Sequence, residues 1–107
     1  MTVRSVLFLS AKPGRRIDVI EAYRRLRILE SAVQEANCLA TELQIQDDPG
    51  APMLVTALWR RAKDYAAWRA HPLRERYMAE LAPLLDGVPA GEIYRVELSA
   101  PRHVIDQ

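Results

Sequence analysis

Apolar residues recur along this chain with two different periods, and the switches between them mark out its elements. Val3 to Ala11 gathers β-branched and aromatic residues in a span too short for a buried helix, and Lys12-Pro13-Gly14 ends it with turn formers, so a first strand is predicted there. From about Arg15 to Ala36 the period lengthens: Ile17, Ile20, Tyr23, Leu26, Leu29, Val33 and Ala36 fall every three or four positions, the stripe of one helix packed on a single side. Asn37, just after it, suits a C-terminal cap. Leu39 to Gln46 alternates again, with Leu39, Thr41, Leu43 and Ile45 opposite Glu42, Gln44 and Gln46, and reads as a strand near an edge. Asp47-Asp-Pro-Gly-Ala-Pro52 is a reverse turn by composition, and Met53 to Trp59 follows as the second arm of a hairpin.

A short helix is expected over Asp64 to Ala70, with Asp64 capping its first turn, and His71-Pro72 breaks it. Pro72 suits the start of another helix, whose apolar side is Leu73, Tyr77, Leu81 and Leu84 or Leu85 and which ends at Asp86-Gly87. Glu92 to Leu98 alternates as a last strand, and Ser99 to Gln107 is a tail, mobile or pinned by a partner. Strand, helix, strand, strand, helix, strand is the order of a ferredoxin-like α+β sandwich, βαββαβ, with helices on one face of an antiparallel sheet. One domain over 1–107 is expected, its core at about 3–98. The two central strands lack the polar alternation of a sheet with one wet face: Val6 and Phe8 oppose Leu7 and Leu9, and Leu54, Thr56 and Leu58 oppose Met53, Val55, Ala57 and Trp59. A homodimer packed sheet to sheet would cover the second apolar face.

Composition narrows the partners. Of 107 residues half are hydrophobic, and fifteen basic side chains meet fourteen acidic ones for a net charge of +1, so no overall field favours nucleic acid or an anionic membrane. Cys38 is the sole cysteine, which excludes an intrachain disulfide, and no Cys/His set has the spacing of a structural metal site. A reducing, cytoplasmic setting is expected, and the N-terminal apolar stretch is too short for a signal peptide or a membrane span.

The densest candidate chemistry lies between Trp59 and His71, where both tryptophans, Tyr65 and one of two histidines fall within thirteen positions. Flat side chains at a strand-to-helix junction can line a slot for a flat ligand, because aromatic faces offer wide contact at low conformational cost; the alternative is that they fill the core. Lys12-Pro13-Gly14, the hairpin strand ending in Leu58-Trp59, and Tyr65…Trp68…His71-Pro72 together resemble the antibiotic biosynthesis monooxygenase superfamily over about Val3 to Leu98, and within it the aromatic-polyketide-tailoring branch. The resemblance implies a dimeric α/β barrel with a pocket between sheet and helices, acting on polycyclic phenols, quinols or similar electron-rich molecules. It implies Trp59 and Tyr65 as pocket residues. Trp68 matches a pocket tryptophan of the haem-degrading branch, but Met78 stands where that branch has its axial histidine, which argues against haem. The asparagine that such enzymes place in the first strand or before the strand-three tryptophan is not evident, since Val55 and Thr56 occupy the latter region.

The resemblance thus points to a small oxygenase of secondary metabolism that hydroxylates a polycyclic aromatic polyketide, oxidises it to a quinone or opens its ring, with dioxygen as co-substrate and no required cofactor. Triplet dioxygen reacts slowly with closed-shell organics unless they donate an electron easily, and deprotonation of a phenol or anthrone provides that. His71 is the candidate base, its ordinary pKa lying near working pH, or else a helix-start residue turned to solvent. Arg76, or Arg74 beside it, is the candidate partner for an oxyanion. Trp59 and Trp68 would wall the slot, Tyr65, Tyr77 and Tyr94 would hydrogen-bond a quinone oxygen, and Tyr23 would close the slot from the first helix. Tyr77 also fits its helix's apolar stripe as a core residue. His103 bears on a site only if the tail folds over it, Met53 and Met78 read as packing, and Cys38 has no basic neighbour in sequence to activate it. The rivals are a variant needing reduced flavin and a non-catalytic small-molecule-binding or stress-related protein of the same fold.

Overall fold

The hairpin strands and the first strand pair in a single antiparallel sheet. In the computed structural model, which describes residues 1–100, β1 (Val3–Leu9) lies between β3 (Met53–Trp59) and β4 (Ala90–Arg95), and β2 (Cys38–Gln44) flanks β3. The order β2-β3-β1-β4 with every pair antiparallel is the ferredoxin-like α+β sheet. Register sets the faces, since residues directly opposite share one. Val3, Ser5, Leu7 and Leu9 meet Trp59, Ala57, Val55 and Met53 on the side the helices cover. Val6, Phe8, Leu54 and Leu58 belong to neither core cluster and form the opposite face.

Two helices stand where one was expected between the first two strands. α1 (Arg16–Leu26) and α2 (Ile28–Glu35) are separated by Arg27, whose φ of 55° is left-handed. The reason lies in the apolar positions. At about 100° per residue, Ile28 in an unbroken helix would sit about 180° around from Val19; with the break, Val19, Ala22, Tyr23, Ile28 and Ala32 are all buried. Ile17 (72 % exposed) and Val33 (46 % exposed), assigned to the stripe by spacing, face solvent instead. Asn37 has φ 54° just beyond the end of α2, the left-handed position that Asn tolerates well.

The second strand also departs from simple alternation. Cys38 pairs with Trp59 and Ala40 with Leu58, so Leu39 is an extra residue, a bulge that changes the phase of the strand. Cys38 is therefore buried, while Leu39 is exposed and parted from Thr41 and Leu43. Across β3 from Ala57 and Val55, Thr41 and Leu43 keep the inward side.

α3 (Ala62–Arg69) begins earlier than expected, and Arg61, not Asp64, holds the cap position. Asp64 lies inside the first turn, buried, and accepts hydrogen bonds from Asn37 Nδ2 at 3.4 Å and Arg61 Nε at 3.5 Å, which ties the helix to the end of α2. α4 (Pro72–Leu81) follows with Pro72 in its first turn and runs into a 3₁₀ turn at Ala82–Leu84. The last strand is shorter and earlier than its alternation suggested, 90–95 in place of 92–98.

Candidate functional site

The core is divided. One cluster gathers Leu9, Val19, Tyr23, Ile28, Met53, Leu81 and Leu85; the other gathers Val3, Ala32, Cys38, Ala57, Trp59 and Trp68. A cavity of about 50 Å³ lies along the seam, bounded by residues of both clusters together with Ser5, Thr41, Tyr65, Arg74 and Met78. An open groove of about 400 Å³ adjoins it between α1, α2 and β2, and Tyr23, Leu29 and Thr41 line both.

Trp59, 1 % exposed, forms the cavity's wall from the end of β3, and its Nε1–H donates to Ser5 Oγ at 2.9 Å across the neighbouring strand. Ser5 is the polar exception among the inward positions of β1, and that bond is its physical reason. Tyr65 on α3 meets Trp59 with ring centroids 5.5 Å apart at 49°, and Arg69 lies 5.9 Å from the Tyr65 ring centre. Trp68 closes the same wall one helical turn on. Tyr23 enters from α1, where burial raises its hydroxyl pKa well above the ordinary range and the nearby Arg74 guanidinium opposes that rise only in part. Trp59, Tyr65, Trp68 and Tyr23 are thus brought together around this one small cavity.

The other expected site residues lie elsewhere. His71 occupies the cap position of α4, and its Nδ1 accepts the Leu73 amide at 3.1 Å, which leaves Nε2 to carry the proton of the neutral ring. Its ring sits 5.4 Å from Trp68, outside the cavity lining. Tyr77 lies between the two core clusters and shares a hydrogen bond of 2.7 Å with Ser31 Oγ. Tyr94 pairs with Arg4 and therefore projects from the opposite face of the sheet, 52 % exposed, where the adjacent Glu92 raises its pKa. Arg76 is exposed on α4. His103 falls outside the described residues.

Arg74 is the arginine of the lining. Burial lowers its pKa, Tyr65 and Tyr23 act in the other direction, and Arg69 adds to the lowering. Spacing carried the signal: Arg74, Met78 and Leu81 follow one face of α4, and Leu81 is buried. Met78, read as packing, lines the cavity with it. Cys38 is buried beside the Ala40 and Leu58 carbonyls, and burial raises its thiol pKa, the setting of an unreactive cysteine. Among the described residues no three His, Cys, Asp or Glu side chains come together, and no helix is long and apolar enough to cross a membrane.

A ferredoxin-like sheet with an aromatic-walled cavity between it and its helices defines the class. The family model for antibiotic biosynthesis monooxygenases matches residues 2–80, and the chain belongs to that family. Solved structures agree on the fold. Rv0793 from Mycobacterium tuberculosis is 17% identical with a TM-score of 0.78 over 94% of this chain and 100% of its own. A conserved protein from Methanosarcina mazei Go1 is 15% identical with a TM-score of 0.77 over 91% of this chain and 94% of its own. A single-site variant of SnoaB, a cofactor-independent oxygenase from Streptomyces nogalater, is 12% identical with a TM-score of 0.76 over 94% of this chain and 98% of its own. No curated protein sequence matches the chain.

Proposed function

We propose that this protein is a small oxygenase that binds a planar, electron-rich aromatic compound of the polyketide type and oxidises it with dioxygen, without a required cofactor. The observation that carries this is the convergence of Trp59, Tyr65, Trp68 and Tyr23 on one cavity between sheet and helices, within a family of monooxygenases. The SnoaB likeness supports cofactor-independent chemistry as the form to test first.

A cavity of about 50 Å³ admits dioxygen or a few waters, whereas sites for drug-sized ligands span about 300–1,000 Å³. A fused-ring guest therefore needs the adjoining groove, reached by displacing Tyr23, Leu29 and Thr41, which line both. Once seated, the guest lies in a water-poor slot, where the anion formed by loss of its acidic proton is the species able to reduce dioxygen. His71 lies outside the cavity lining, and because Arg74 lines the cavity while Arg76 is exposed, Arg74 takes the part of oxyanion partner.

The rival is a non-catalytic binder of the same fold, favoured by a cavity lining without carboxylate or imidazole, Glu30 and Glu42 lining only the adjoining groove. Incubation with an anthrone or a polycyclic hydroquinone separates the two: oxygen uptake without additives supports the oxygenase, and none under any condition supports the binder. Dependence on reduced flavin would instead identify a flavin-assisted variant.

A further inference from the structure

We infer that the cavity selects guests that bind as anions, acidic phenols, hydroxyquinones or enols held by Arg74, over neutral compounds of the same shape; this rests on the aromatic-slot reading above. Five polar side chains line the cavity, and two have partners. Ser5 Oγ accepts the Trp59 indole N–H, and Thr41 Oγ1 donates to the Thr56 carbonyl at 2.9 Å. Tyr23, Tyr65 and Arg74 are left to meet a guest.

Among the described residues the ion pairs involve Arg15, Arg24, Arg27, Arg61 and Arg95, and none involves Arg74. The groups facing it are Tyr23 from α1 and Tyr65 and Arg69 from α3, two phenols and a like charge. Tyr23 holds its proton more tightly than an ordinary tyrosine, so it is no counter-ion at neutral pH. A half-buried guanidinium that has lost water and gained no carboxylate is an incomplete ion pair. An oxyanion completes it through charge-assisted N–H···O⁻ bonds, with the aromatic walls packed on the guest's ring faces. Linkage follows: a guest bound beside this cation ionises at lower pH than in water, releasing its proton to solvent, so the site needs no carboxylate or imidazole of its own to hold the reactive anion.

The test uses alizarin, whose visible spectrum reports its ionisation, and its dimethyl ether as a neutral counterpart of the same ring system. The wild-type chain should bind alizarin as the coloured anion and lower its apparent pKa by about one unit or more, a tenfold preference for the charged form. Arg74→Gln should abolish that shift and weaken alizarin binding about tenfold while leaving the ether unaffected, and Arg74→Lys should restore part of it; unchanged thermal unfolding shows that the variants are folded. A shift that survives in Arg74→Gln, or an ether that binds the wild type as tightly as alizarin, overturns the inference and leaves the slot standing. Binding of neither compound overturns both.

Discussion

The Trp59 indole shows how one hydrogen bond can place a wall. A tryptophan 1 % exposed needs a partner for its N–H, and Ser5 supplies it from the adjacent strand. Ser5→Ala leaves that donor buried and unpaired and should cost about 1–3 kcal/mol, read from urea unfolding. Trp59→Ala removes both wall and core and should cost about 3–5 kcal/mol, so loss of activity in that variant would not isolate a role in the site; Trp59→Phe, which keeps most of the ring, is the variant for assigning one. Tyr23 gives a pH dependence. Its folded pKa is raised above the unfolded value of about 10, so the folded state binds more protons on the alkaline side, and its stabilising contribution, complete below pH ~10, is lost progressively as pH climbs above that value. Cys38 acts in the same direction. Tyr23→Phe should therefore flatten, without abolishing, the fall of the unfolding midpoint above pH ~10. At this scale the gathering of Trp59, Tyr65 and Trp68 was legible because these large aromatics fall in few positions; the sheet face that Trp59 takes and the choice between Arg74 and Arg76 were not, because they depend on strand register and on which helical face the neighbouring elements cover.

At the scale of elements the instructive failure is the long first helix. Its apolar stripe supported a single run from 15 to 36, but the run was drawn through Ile17 and Val33, which are exposed, and missed Val19, Ile28 and Ala32, which are buried. Each step of that stripe is three or four residues, whereas Val19 and Ile28 fall on opposite sides of an unbroken helix, and only packing against the sheet places the break that buries both. The break costs a left-handed arginine, a conformation about 1–2 kcal/mol less favourable for an L-residue with a Cβ. Arg27→Gly relieves that strain, less glycine's own entropic penalty of about 0.5–1 kcal/mol, and should raise stability by about 0.5–1 kcal/mol. A lowered unfolding midpoint in that variant would show that the Arg27 side chain contributes more than its backbone costs. The hairpin between β2 and β3 was readable from Asp47 to Pro52, whereas the bulge at Leu39 was not: nothing local distinguishes that leucine from its alternating neighbours.

For the whole molecule, the decisive feature is the face bearing Val6, Phe8, Leu54, Thr56 and Leu58, which stands opposite the helix-covered side and remains half-buried by neighbouring side chains alone. We propose that a second copy of the chain covers it sheet to sheet. Sedimentation should then give twice the chain mass at micromolar concentration, and Leu54→Lys should shift the protein to monomers with an unchanged far-ultraviolet circular dichroism spectrum. A wild-type monomer at that concentration would remove the dimer and leave the cavity on the other face untouched.

Period-two and period-3.6 patterning, turn residues and the scarcity of charge on two central strands were enough to specify the antiparallel sandwich, because each is a local property that chain geometry converts directly into an element and a face. Where the cavity lies, which arginine enters it, and that His71 stands outside its lining were decided only by the folded chain. Those outcomes depend on how two core clusters meet across a seam, and that is a matter of contacts between residues far apart in sequence.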